Sequence, residues 1–499
     1  MLLAGIPVFA QEPLPRGLPE HEGVSASGIS RFVEATAHGK TEFHSFMFLR
    51  HGKVIAEGWW NPYAPELKHT LYSTSKSFTA AAVGFALTEG KLQLSDKIVR
   101  FFPEDLPDPV PPFLAELTVR DALMMSDGQE PDPTPAVVFD PNWARKFFAT
   151  PIVHEPGTTF LYNSAGTYML AAILQKVTGQ TVLDYLKPRL FEPLGITGED
   201  WETSPQGVNT GGWGLRLRTE DMAKFGQLYL QGGNWNGKQI LPQSWVKEAT
   251  TMKIMQDPGA PQSKKDSSDW LQGYCYQMWR CRHNGVRADG AFGQFIILLP
   301  DEDAVIAIQA ETPDMQEEIN LVWKYLLPAM HAGSLPADPD ADARLKKQLA
   351  SLALAPAKSA GAGKDLFSGR SFTLEANTKK MKAVSFKRDG DNIVLTIQGD
   401  TATYPIGFGN GRWNIGYTTR SGPNLLTGAV HHDVGLPAFR YAGSYRWVDD
   451  HTLKLVLRYI ESPHTETMIC HTDANNLTIE DRNSYQYGKG MITILGTSR

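Results

Sequence analysis

The feature that most restricts the fold is β-type sequence at both ends of a long helical stretch. Ser45 to Trp60 alternates, with Phe46 and Phe48 before the turn His51-Gly52-Lys53 and Val54 and Ala56 after it, and this predicts a hairpin. Gln294 to Leu299 and Val305 to Ala310, joined by the acidic turn Asp301-Glu302-Asp303, predict a second pair of strands. Between them, most of Thr118 to Ala249 has helical spacing broken by Pro, Gly and Asp; Thr219 to Leu230 is the clearest case, with Thr219 as the expected N-cap. A lone hairpin is not stable in water. The first and last strands are therefore expected to meet in one sheet, giving an α+β domain over residues 20–330. A helix bearing Ile319, Val322, Trp323 and Leu326 closes that domain near Met330.

At 499 residues the chain exceeds what a single core organises. Residues 331–363, rich in Ala, Pro, Asp and Ser, read as a linker with one short helix from Ala341 to Leu354. From Lys364 onward, short alternating stretches such as Ile393 to Ile397 and Leu453 to Ile460 are separated by Gly, Asp and Pro turns. They predict an all-β barrel or sandwich over residues 364–499.

Charge and cysteine usage exclude several classes. Asp and Glu outnumber Lys and Arg by 54 to 48, and no basic block is interleaved with aromatics, so nucleic acid is not an expected partner. Three cysteines, Cys275, Cys281 and Cys470, are too few for a disulfide framework and lack zinc-site spacing; they read as small buried hydrophobes. His431-His432-Asp433 reads as a solvated loop, because neighbouring histidines on extended chain point apart. Gly211-Gly212-Trp213-Gly214 reads as a tight turn and not a phosphate loop, since no Lys-Ser/Thr follows in register. The apolar start Met1 to Ala10, before Gln11 and a Pro-rich segment, resembles the end of a signal peptide within residues 1–19 and implies a periplasmic or secreted location. No later stretch is long enough to span a membrane. Oligomeric state is not legible.

The chemistry concentrates in Ser-x-x-Lys, which occurs twice. Ser244-Trp245-Val246-Lys247 follows Pro242 in the first turn of a polar helix and reads as helix surface. Ser73-Thr74-Ser75-Lys76 instead opens an apolar helix with Phe78, Ala82, Phe85 and Ala86 at helical spacing, ending at Gly90. Residues i and i+3 share a helix face, so the Lys76 amine can reach the Ser73 hydroxyl. A lysine acts as a base only if burial lowers its pKa from about 10.4 toward neutrality, and the apolar flanks supply that burial.

Tyr72-Ser73-Thr74-Ser75-Lys76-Ser77-Phe78-Thr79 resembles the first active-site element of the serine β-lactamase and penicillin-binding-protein superfamily, and three further segments resemble its elements in order. These are Arg120 to Gly128, Pro156 to Ser164 with Tyr162-Asn163-Ser164, and Gly290-Ala291-Phe292-Gly293-Gln294. The resemblance is greatest to the class C-like branch, with its family VIII esterases and 6-aminohexanoate-dimer hydrolases. It implies a β-lactamase-like antiparallel sheet with a helical subdomain and a serine hydrolase working through an acyl-enzyme. Ser73 would be the nucleophile, Lys76 and Tyr162 the acid/base groups, and the backbone N–H groups of Ser73 and Ala291 the oxyanion hole. Ser164, Asp289 and Gly290 would contact substrate, without metal or organic cofactor. Two departures stand out: Ser164 replaces the expected Asn, and Ala288-Asp289-Gly290 replaces Lys-Thr-Gly. Loss of that lysine disfavours a β-lactam carboxylate, and Asp289 is expected to add negative charge beside the pocket. The reading is a hydrolase of small esters or amides. The alternatives are a β-lactamase or D-alanyl carboxypeptidase, or a penicillin sensor that acylates without turnover.

Overall fold

The computed structural model describes residues 13–359, 364–473 and 475–498. The apolar start, residues 1–10, lies outside them. The first sheet is antiparallel, formed by β1 (Glu42–Arg50), β2 (Lys53–Trp59), β3 (Trp279–Arg280), β4 (Val286–Gly290), β5 (Gln294–Leu299) and β6 (Ala304–Glu311) in the order β2-β1-β6-β5-β4-β3. The β1–β2 turn places both His51 and Gly52 at positive φ, the two-residue geometry whose twist suits a hairpin. The expected meeting of the first and last strands is the β1–β6 pairing, with Phe46 opposite Ile308.

Alternation along these strands feeds two cores. Met47, Leu49, Ile296, Leu298, Val305 and Ala307 face the helical subdomain. Phe46, Phe48, Phe295, Ile297, Ile306 and Ile308 face a second layer formed by α1 (Ala26–Thr36) and the helical run through Ile319, Val322 and Leu326. The subdomain is centred on α2 (Ser75–Thr88), buried along nearly its whole length, with α3 (Ser164–Thr178) and α4 (Thr219–Leu230) in the same core. Thr219 is the first residue of α4 and not its N-cap. The Asp221 carboxylate takes the Arg218 N–H, and the Thr219 hydroxyl is spent on Ser45 Oγ (2.7 Å) and Gln309 Oε1 (3.1 Å), tying α4 to the sheet.

The helix within the segment read as a linker is docked. This helix, α5 (Pro339–Ala350), starts earlier than expected because Asp338 caps it, and it buries Ala341 and Leu345 in the second core. Asn61 then exchanges backbone hydrogen bonds with Leu352 and Leu354 (3.1 and 2.8 Å). Beyond it, ten strands between Ser371 and Ser498 form one sheet that closes into a barrel through a short parallel pairing of Gly409 with Ser444 and Asn410 with Tyr445. The cysteines are free and buried. Among the described residues no helix is long and apolar enough to cross a membrane.

The barrel rests on the first domain through buried polar contacts. Arg458 reaches Glu42 (2.8 Å), the Tyr63 hydroxyl reaches the Ser462 carbonyl, and Thr70 bonds to the Glu461 carbonyl. His431-His432-Asp433, expected to be solvated, belongs to this contact. The His432 side chain is 5% exposed, with Nδ1 3.1 Å from Glu202 and Nε2 3.2 Å from Asp433. The expectation failed because Glu202 comes from a distant segment. A ring with a carboxylate at each nitrogen is suited to be an imidazolium, and these partners hold its pKa up against the opposing effect of burial.

Candidate active site

The helix expected from Ser73 begins as a tighter turn. Tyr72–Thr74 form one 3₁₀ turn and the α-helix proper starts at Ser75, because Tyr72 sits at φ 46° and bends the chain into the helix. Ser75 Oγ donates to the Tyr72 carbonyl (2.6 Å) and Thr74 Oγ1 to the Gln294 carbonyl (2.7 Å), which fixes the turn against β5. Ser73 is thereby left half-buried at the head of α2.

Lys76 points back at it. Its Nζ lies 2.9 Å from Ser73 Oγ, 2.8 Å from Ser164 Oγ and 2.7 Å from the Gly212 carbonyl. The side chain is 1% exposed, and this burial brings the amine down to about 7, with Asp132 and Asp289 acting in the opposite direction. Near neutrality the neutral amine can give two N–H groups to Ser164 and Gly212 while its lone pair faces the Ser73 proton. The Gly212 carbonyl was not anticipated as part of the site. Position 212 is tightly packed, since a Cβ there would meet the Ser164 carbonyl at 3.0 Å and Lys76 Nζ at 3.4 Å.

Tyr162 and Ser164 are placed by Asn163. Its Oδ1 caps α3 by accepting the Gly166 N–H (3.0 Å), and its Nδ2 donates to Gln129 Oε1 (2.8 Å) and Asp127 Oδ2 (3.2 Å). Burial raises Asp127 to about 7. The Tyr162 ring lies 4.8 Å from Lys76 Nζ and stacks on Trp279 at 5.5 Å, with Phe160 and Tyr274 in the same aromatic cluster. Burial pushes its phenol well above the ordinary tyrosine value; Asp289 adds to this and the Ser73 hydroxyl opposes it.

The β4–β5 turn supplies the opposite wall. Gly290 is pressed onto the Ser73 turn: a Cβ there would lie 2.1 Å from the Leu71 carbonyl oxygen and 3.1 Å from the Thr74 nitrogen. No side chain fits, and this contact brings Ala291 beside the head of α2. Gly293, at φ 92°, is equally confined, because a Cβ would fall 1.9 Å from Glu318 Oε2. Burial pushes the Glu318 carboxyl well above the usual carboxylate range.

Asp289 does not offer the open negative charge expected of it. Its Oδ2 lies 3.0 Å from Arg287 Nε and 2.9 Å from Nη2, and the guanidinium also donates to the Asp269 carbonyl and stacks 4.3 Å over Trp270. Strand alternation explains the correction: Arg287 points away from Ala288 and, for the same reason, toward Asp289. Ser244 and Lys247 are both exposed on a separate helix, Gln243–Thr250.

A Beta-lactamase family model matches residues 31–326, more than half of the chain. The chain belongs to the beta-lactamase family. This beta-lactamase-family chain is 28% identical over 289 residues to a 6-aminohexanoate-dimer hydrolase of Paenarthrobacter ureafaciens, covering 54% of this chain and 73% of that one. A solved structure from Bacillus anthracis, provisionally named a 6-aminohexanoate-dimer hydrolase, superposes with a TM-score of 0.54 at 22% identity, covering 65% of this chain and 89% of the other. A penicillin-binding protein homologue from Caulobacter crescentus gives 0.50 at 17% identity, over 62% and 99% of the two chains. At those identities the likeness is one of fold. Family and relatives together make the chain a serine hydrolase. The family match stops at residue 326, so the barrel lies beyond it.

Proposed function

We propose that the chain hydrolyses small esters or amides through an acyl-enzyme on Ser73, with Lys76 as the proton acceptor. The observation that carries this reading is the 2.9 Å contact between Ser73 Oγ and a buried amine whose pKa lies at about 7. Lys76 takes the Ser73 proton as Oγ bonds to the substrate carbonyl carbon, and the backbone N–H groups of Ser73 and Ala291 receive the oxyanion. The carbon–leaving-group bond then breaks, and the leaving oxygen or nitrogen takes the proton from Lys76, directly or across the Tyr162 hydroxyl. Because its pKa is raised, Tyr162 serves as a neutral phenol, a donor and relay and not a standing base. Water repeats the sequence to free Ser73 and the acid.

Substrate class follows from the walls. The Arg287–Asp289 pair is closed on itself and leaves the guanidinium engaged, which favours neutral acyl groups over carboxylate-bearing ones. A relative named 6-aminohexanoate-dimer hydrolase supports including amides, the bond by which the amine of one amino acid joins the carboxyl group of another. The test is a fluorophosphonate adduct mapped by mass spectrometry, paired with p-nitrophenyl butyrate and nitrocefin turnover on one batch. The adduct is expected on Ser73 and the ester is expected to be the better substrate. Labelling elsewhere overturns the nucleophile, and a single stoichiometric burst without turnover makes the protein an acylatable sensor.

A further inference from the structure

The residue before the proposed nucleophile is held from outside the hydrolase domain. Tyr72 is an aromatic residue at φ 46°, a conformation that bulky side chains avoid unless their surroundings impose it. Its hydroxyl lies 2.6 Å from Nε2 of His464, a fully buried side chain of the barrel. His464 Nδ1 lies 2.8 Å from Glu311 Oε1 at the end of β6, and the Ser484 hydroxyl donates to that same oxygen (2.7 Å). With Nδ1–H donating to the Glu311 carboxylate, Nε2 is left as the acceptor and Tyr72 donates to it.

The same imidazole packs on the other wall. Phe292, which follows Ala291 and itself sits at φ 67°, lies edge-on to His464 at 4.7 Å and to Tyr72 at 5.5 Å, with Tyr485 at 6.1 Å. One barrel side chain thus touches the neighbour of each proposed oxyanion donor, Tyr72 beside Ser73 and Phe292 beside Ala291.

We propose that His464 is a positioning residue of the hydrolytic site: through Tyr72 and Phe292 the barrel sets where the Ser73 and Ala291 backbone N–H groups point. This rests on the reading of Ser73 as nucleophile. Oxyanion donors act over tenths of an ångström, so a small release of Tyr72 lowers the rate of acyl transfer while leaving the Tyr162–Trp279 cluster in place.

The test uses the full chain and three variants. His464→Gln keeps a polar atom near the Nε2 position, so it retains the Tyr72 bond. His464→Asn keeps one near Nδ1, so it retains Glu311 and loses Tyr72. Tyr72→Phe cuts the bond from the other side. His464→Asn and Tyr72→Phe are expected to lower kcat on p-nitrophenyl butyrate by about 10- to 100-fold with KM within about twofold, and to slow fluorophosphonate labelling of Ser73 by the same factor. His464→Gln, which gives up only the ring against Phe292, is expected within about threefold of the parent, and the Tyr72→Phe/His464→Asn double variant within about threefold of His464→Asn, in which the Tyr72 bond is already cut. If the role were only to dock the barrel, Asn would rescue as well as Gln. That result, losses that multiply, or wild-type kcat in Tyr72→Phe overturns the proposal. Should His464→Asn fail to fold, Tyr72→Phe, which leaves the barrel contact with Glu311 intact, decides alone. An unlabelled Ser73 in the parent enzyme instead sinks the nucleophile assignment itself.

Discussion

The two Ser-x-x-Lys segments have the same spacing and opposite surroundings. Ser73 and Lys76 stand at the head of a helix buried nearly all round, and the amine is enclosed by Ser73, Ser164 and the Gly212 carbonyl. Ser244 and Lys247 lie on the open side of Gln243–Thr250, whose buried residues are Trp245, Val246 and Ala249. Helical spacing brings a hydroxyl within reach of an amine in both. Desolvation brings the Lys76 amine down to about 7, where the proposed role of base becomes open to it, and the contrast shows that the motif is only as informative as the apolar sequence around it.

The sharpest way to break this contrast is to exchange the serines. Ser73→Ala is expected to lower ester turnover by at least about 10⁴-fold, whereas Ser244→Ala stays within about twofold; steady-state kinetics and adduct mapping on the two proteins check it. Lys76→Arg keeps a cation that cannot surrender its proton, and a loss of about 10³-fold is expected, while Lys247→Arg changes nothing measurable. Tyr162→Phe keeps the stacking on Trp279 and removes the relay, for a loss of about 10²-fold in kcat with an unchanged circular dichroism spectrum.

Acidity gives a finer probe. The limb of log kcat/KM against pH should rise with unit slope and level off near 7, the value to which burial brings Lys76, and shift if Asp132 is neutralised. The stability sign follows from the same group. Between about 7 and the ordinary lysine value of 10.5 the unfolded chain keeps a proton that the folded chain has released, so stability rises with pH across that window. Denaturant melts of Lys76→Met should lack that part of the rise. Smallest of all, Lys247→Ala should alter stability by less than about 0.5 kcal/mol at any pH.

The hairpin, the β1–β6 closure and the Ser73–Lys76 pair were legible because each rests on a local period or on a short apolar context. Arg287–Asp289 was legible in principle. The alternation that turns Arg287 away from Ala288 puts it on the same face as Asp289, two residues on. In residues 331–363, composition argued for a loose tether, yet Ala341, Leu345 and Leu349 form an i, i+4 stripe that marks a docked helix. The Tyr72–His464 bond had no signal at all, since its partners are 392 residues apart and neither belongs to a periodic pattern that predicts the other. His432 failed for the same reason, its partner Glu202 being 230 residues away.

The pairing of β1 with β6, Glu42 opposite Glu311, also sets an order of events during synthesis. The hairpin emerges from the ribosome early, with one edge and both faces uncovered, and its partner strand is not made until some 250 residues later. At roughly 5 to 20 residues per second that is a wait on the order of ten seconds or more, during which Phe46, Phe48 and Leu49 have no sheet to enter. A nascent chain of this kind is a natural client for factors that shield exposed strands, and a pause introduced between residues 60 and 290 should lower the soluble yield more than the same pause placed after residue 311.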